Sequence, residues 1–157
     1  YWFHRPARPS RRAAANSDCG APLPKLHASA LAAGKSAQFT TIEQLVRTAP
    51  GAEARVYRLQ AALLQYRLQG SQYRLRLGSL VNPAVGLDAL LPPGRCFANA
   101  EDGALLDELR QDFSLRFGAL GGRAVQPAQP TQVVVTGVAA SGPDGVQLRP
   151  VLDLHVQ

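Results

Sequence analysis

The sequence predicts a mainly β domain: a five-stranded barrel with one α-helix between its third and fourth strands and a short N-terminal helix. Three observations lead there. Strand-like runs at 55–68 and 72–77 are separated only by the turn residues Gln69-Gly70-Ser71. The apolar positions of the first run change phase midway, as they must where a strand rounds the corner of a small barrel. The strongest helical period, at 101–117, sits between strand signals instead of alternating with them, so a βαβ architecture is excluded.

The elements have local causes. After the Pro-rich stretch 21–24, Phe39-Thr40-Thr41-Ile42-Glu43 opens a short helix. Thr40 followed three residues later by Glu43 has capping-box spacing, Ile42, Leu45 and Val46 give an apolar side, and Pro50-Gly51 ends it. In 55–68 the apolar side chains are odd-numbered at Tyr57 and Leu59 but even-numbered at Leu64, Tyr66 and Leu68, which places a bulge or bend near 61–63. From 72 to 77 the alternation is clean, with Tyr73, Leu75 and Leu77 facing the core and Gln72, Arg74 and Arg76 facing out. A third strand occupies 85–91 until Pro92-Pro93-Gly94 stops it.

In 101–117, Leu105, Leu109, Phe113 and Phe117 recur every fourth residue and Leu106 widens the stripe. Glu101, Asp102, Asp107 and Glu108 crowd the front of this helix and Arg110 and Arg116 its rear, in accord with the macrodipole; Gly118 is placed to end it. Two strands follow, at 132–138 and 146–156, the second carrying Leu148, Leu152, Leu154 and Val156 on one side. The loop 139–145 joins them. Strand, strand, strand, helix, strand, strand is the order of an OB-fold barrel.

Composition bounds the reading. At 16.7 kDa, with 46% hydrophobic residues and a mean hydropathy of −0.09, the chain can bury one core. No run approaches the roughly 18 apolar residues of a spanning helix. The net charge of +6 is unevenly placed: residues 1–36 carry six basic residues against Asp18 alone, whereas the rest has 11 basic and 10 acidic. Residues 1–18 form a basic Pro/Arg-rich arm, 19–54 a tethered lead-in and 55–157 the barrel. The arm has no hydrophobic period and is expected to be disordered alone. It reads either as a docking arm that reaches a partner through Tyr1, Trp2, Phe3, Arg5, Arg8, Arg11 and Arg12, or as a solvated linker left by a removed anchor. A chain that opens on Tyr1 without methionine fits removal of a leader.

Cys19 and Cys96 share no metal-ligand spacing. An even count in a small exported domain reads as one disulfide, and two buried free thiols are the alternative. The order of motifs also resembles a group of secreted bacterial domains of unassigned activity with OB-like, staphylococcal-nuclease-like folds. The residues that carry the likeness are Cys19-Gly20, Thr40-Thr41, Gln72-Tyr73-Arg74-Leu75, Pro93-Gly94-Arg95-Cys96, the Phe-x-x-x-Phe segment at 113–117, Thr136-Gly137-Val138 and the closing segment 147–153. The resemblance implies the barrel, the disulfide and export. Where that group has acidic and histidine residues, this chain has Gln72, Arg74, Gln147 and Arg149, so chemistry resting on those groups is not carried over.

Catalysis finds little footing. Metal-dependent nuclease chemistry needs clustered carboxylates, and Asp88 is the only one between Glu53 and Glu101. His4, His27 and His155 are scattered, and Ser141 lies in no nucleophile elbow. No metal or other cofactor is expected. The expectation is therefore a non-enzymatic structural or interaction subunit of an extracytoplasmic assembly, periplasmic, cell-surface or secreted. Its partner would be a protein neighbour: another copy, a filament or a larger envelope complex. The rival is a binder of single-stranded nucleic acid or another polyanion through Arg58, Arg67, Arg74 and Arg76.

Overall fold

The computed structural model describes Cys19, Leu23, Leu26 and residues 29–48, 54–118 and 121–157. In chain order the elements are α1 (Ala30–Lys35), β1 (Gln38–Phe39), α2 (Ile42–Val46), β2 (Val56–Gln69), β3 (Gln72–Gly78), β4 (Gly86–Leu91), a 3₁₀ turn (Gly94–Cys96), α3 (Ala100–Phe117), β5 (Thr131–Gly142) and β6 (Gly145–Val156). Strands β2-β3-β4-β6-β5 lie side by side, and β2 pairs again with β5, so five strands close a mixed barrel. Its neighbours are antiparallel except β4 and β6. With α3 between the third and fourth barrel strands, this is the predicted OB-like order.

Closure depends on the long strand β2. Its first half, from Val56 to Leu63, pairs with β5, and its second, from Ala62 to Gln69, pairs with β3. The register shifts between Leu63 and Gln65, and Ala61, Ala62 and Leu63 are buried in succession. A straight strand buries alternate residues; three in a row mark the corner that lets one strand serve two neighbours. Leu59, Leu63, Leu75, Leu77, Leu87, Leu91, Val133, Val135 and Leu148 fill the interior. One cluster of rings is supplied by α3: Phe113 meets Tyr66 edge-on at 5.5 Å, and Phe117 lies 4.6 Å from Phe113.

The helix α3 has clear ends. The Asn99 side chain accepts from the backbone N–H of Glu101 and Asp102, and Gly118 closes the helix at φ 87°. Near its start, Gly103 lies against Gly94. A methyl group built on Gly103 would sit 2.5 Å from the Gly94 carbonyl oxygen, so the pair must stay bare for the 3₁₀ turn and α3 to touch.

Several sequence expectations need correction. The lead-in is not simply extended: Ser29 caps α1 by accepting from Ala32 N–H, and Gln38–Phe39 adds a parallel edge strand beside β2, giving the sheet six strands. The cap of α2 is Thr41, which accepts from Gln44 N–H, and not Thr40. Most of the expected loop at 139–145 is strand, leaving Pro143-Asp144 as the turn before Gly145, whose φ of 117° suits glycine. Nor does one face of β6 hold Leu148, Leu152, Leu154 and Val156 together. The β5–β6 register shifts on either side of Gly137, so Val151 joins the barrel core while Leu152 turns to a second cluster with Ala30, Ala33 and Val138.

Candidate interaction surfaces

The first surface is the outer face of β2, β3 and β4. Register places Arg67 directly opposite Arg74, and Arg76 opposite Asp88. Asp88 lies between two arginines: Arg74 donates to one carboxylate oxygen through Nε at 3.1 Å and also through Nη2, while Arg76 Nη1 stands 3.3 Å from the other. Arg74 Nη1 donates to the Gln69 amide oxygen at 2.8 Å. Asp144, in the β5–β6 turn, reaches within 3.8 Å of Arg74 from the rim. Two of the four expected arginines are thus held by an internal carboxylate. The opposed pair Arg67 and Arg74 is unfavourable in a sheet unless a countercharge intervenes.

Arg58 stands apart from them. Its Nη2 donates to the Gly34 carbonyl at 2.7 Å, its Nε to Thr136 Oγ1 at 3.1 Å, and its guanidinium covers the Phe39 ring. It fastens α1 and β1 to the barrel. Tyr73 is half-buried as core expectation requires. Its hydroxyl shares a 2.7 Å hydrogen bond with Ser114, and Arg110 lies 4.3 Å over its ring, so the ring is not an open stacking platform.

The second feature is the root of the arm. Cys19 and Cys96 are joined in a disulfide, with their Cα atoms 5.5 Å apart. The Cys19 carbonyl accepts from Arg149 Nη2, and Arg149 Nε donates to Gln72 at 3.1 Å. Arg149 is 5% exposed, and burial pushes its guanidinium below the ordinary value. Further along, Asp102 accepts from Ala30 N–H at 2.8 Å, so an acid of α3 caps α1. The sequence gives no signal for Arg149 or Asp102 as anchors, since each looks like an ordinary surface charge. Tyr1, Trp2, Phe3, Arg5, Arg8, Arg11 and Arg12, together with His4 and His27, lie outside the described residues.

Two grooves complete the surface. One, of about 490 Å³, runs between the rear of α3 and the end of β6, lined by Leu109, Asp112, Phe113, Leu115, Phe117 and Val156 and also by Arg116 and His155. The other, of about 320 Å³, lies between β1 and the 79–81 segment, where Phe39 and Val81 are exposed. At its floor the Ser79 hydroxyl donates to Glu43 and accepts from the N–H groups of Val81 and Asn82. The Ser79 bond holds the Glu43 carboxyl below the usual carboxylate range. A hydroxyl so engaged ties a loop rather than acting as a nucleophile. Among the described residues, no three of His, Cys, Asp and Glu stand together to hold a metal ion, and no helix is long and apolar enough to cross a membrane.

No family model matches the chain, and no curated protein does. Among solved structures, a chain assigned as an aspartyl-tRNA synthetase in Leishmania major Friedlin is similar at 14% identity and a TM-score of 0.49. The match covers 87% of this chain and 22% of that longer one.

Proposed function

We propose that this chain is a non-enzymatic structural or protein-interaction subunit of an extracellular or cell-envelope assembly, in which the arm at 1–18 docks on a neighbour. The observation that carries the reading is the fixed root of the arm. Cys19 is held to Cys96 covalently and to the buried Arg149 through its carbonyl. A segment rich in arginine and headed by three aromatic residues therefore leaves the barrel from a defined point, which lowers the ordering cost of docking. The disulfide favours an oxidising compartment, in keeping with the resemblance to secreted domains. The test compares the full chain with one lacking residues 1–15, by light scattering, with circular dichroism to establish that both are folded. Loss of assembly with the fold intact is expected; a shortened chain that assembles like the parent sinks the reading.

The second reading, a binder of single-stranded nucleic acid or another polyanion, is favoured by the convergence of Arg67, Arg74 and Arg76. It requires affinity for a single-stranded oligonucleotide that falls steeply with salt. Asp88 and Asp144 oppose it, because they already offset part of that charge.

A further inference from the structure

We infer that the receptor for the arm is the outer face of α3 together with the groove between α3 and β6. This inference rests on the docking reading above and adds the surface and the pairing. In an α-helix, residues seven and four apart return to one face. Glu101, Glu108 and Asp112 are so spaced in α3, all exposed, and Leu115, 78% exposed, continues the same stripe. Asp112 and Leu115 also line the groove, whose floor carries Phe113 and Phe117. The result is an acidic track that ends in an aromatic-lined cleft.

The arm is its complement in order and in overall length. Tyr1-Trp2-Phe3 precede Arg5-Pro6-Ala7-Arg8-Pro9-Ser10-Arg11-Arg12, and residues 1–12 contain no acidic side chain. Arginine recurs at every third residue, at Arg5, Arg8 and Arg11, with proline after the first two. In the polyproline II form that such a sequence favours, three residues make one turn, so these arginines share a face at intervals of about 9 Å. Arg5 to Arg11 then spans about 19 Å in two equal steps, against about 17 Å from Asp112 to Glu101 along α3 in steps of about 6 Å and about 10 Å, a difference within the reach of the long arginine side chains. With the aromatic head in the groove, Arg5 meets Asp112, Arg8 meets Glu108 and Arg11 meets Glu101.

Attachment permits this course. Cys19 is fixed beside Gln72 through Arg149, and the adjoining Ser71 and Tyr73 contact Arg110 and Ser114 of α3. Cys19 is also joined to Cys96 in the 3₁₀ turn, whose Gly94 lies against Gly103 and Asp107, so the arm departs beside the first half of α3, a helix about 27 Å long, with about 50 Å of contour between Cys19 and Arg5. Arg116, one helical turn beyond Asp112, is a like charge beside this track and opposes the Arg5–Asp112 pair.

Trp2 is the only tryptophan, so its fluorescence in the full chain reports docking directly. Expected is a blue-shifted emission shielded from acrylamide. The double variant Glu108→Lys with Asp112→Lys, and separately Leu115→Glu, should shift emission to that of a solvated indole and raise quenching several-fold. The exposed control Thr48→Lys, remote from both surfaces, should leave it unchanged. Joint replacement of Arg5 and Arg8 by Glu should restore shielding in the lysine double variant. A solvated Trp2 in the parent, or a shielded Trp2 indifferent to all α3 variants, overturns the inference. Light scattering on the same samples separates the two proposals. A shielded, α3-dependent Trp2 in a monomer upholds the receptor face and removes the neighbour. Assembly that survives the α3 variants with Trp2 still shielded upholds the neighbour and removes this face.

Discussion

Replacing Gly103 by alanine should destabilise the domain, although helix propensity alone predicts the reverse. Alanine in a helix interior is favoured over glycine by about 1 kcal/mol. At Gly103, however, the new methyl group would lie 2.5 Å from the carbonyl oxygen of Gly94 and 3.2 Å from its carbon. That backbone cannot easily retreat, because Gly94 N–H donates to Asp107 at 2.7 Å and Cys96, two residues on, is held by the disulfide. Overpacking costs about 1–3 kcal/mol, and a 2.5 Å approach to a held backbone oxygen falls in the upper part of that range, about 2–3 kcal/mol, so the net loss should be about 1–2 kcal/mol. For a chain of this length the melting temperature falls by about 3–6 °C. Gly34→Ala supplies the opposite sign: nothing stands within 4 Å of the added methyl group in α1, and a gain of about 0.5–1 kcal/mol is expected. Guanidinium unfolding of both variants under non-reducing conditions gives the two midpoints. A Gly103→Ala chain as stable as the parent would refute the close contact that seats α3 on the 3₁₀ turn.

Other expectations follow from the anchors and the arginine face. Asp102→Ala removes the acceptor of Ala30 N–H and should cost about 1.5–3 kcal/mol; hydrogen exchange should quicken in α1 first, and uniform quickening would argue against a local anchor. Removing the disulfide by Cys19→Ser with Cys96→Ser opens a loop with a sequence separation of 77, a loss of up to about 4–5 kcal/mol in the chain-entropy treatment; an unchanged unfolding midpoint would contradict it. Asp88→Asn frees Arg74 and Arg76, so retention on a heparin column should rise while stability falls by about 1–2 kcal/mol; unchanged retention would mean that Asp88 is not what masks these arginines. The Glu43 carboxyl is depressed by its Ser79 bond, so its contribution is present above the unfolded carboxylate range and lost as pH falls through the folded value. In Ser79→Ala an NMR titration should find Glu43 nearer the ordinary value, and an unmoved titration would reject the bond.

Periodicity made the barrel legible. The phase change between Leu59 and Leu64 locates the corner of β2 because burial enforces alternation on each side of it. The four-residue recurrence from Leu105 to Phe117 locates α3 because its stripe closes over Tyr66. What local pattern does not carry is contact across the chain. Val151 and Leu152 look alike in sequence, and only the register against Gly137 decides which enters the barrel. Arg58 and Arg74 look equivalent on their strands, yet one ties down α1 and the other is held by Asp88. α1 carries no periodic signal because half of its six residues are alanine, without the amphipathic stripe that marks α3; Ser29 is its one local sign. Arg149 and Asp102 act through residues 130 and 72 positions away, a separation no spacing rule reaches.

The measurement that bears most directly on the account is the mass in solution of the full, oxidised chain at physiological salt, by light scattering across a range of concentrations. An interaction subunit joined through its arm should give species larger than the 16.7 kDa single chain, growing with concentration. A 16.7 kDa species at every concentration would contradict self-assembly through the arm.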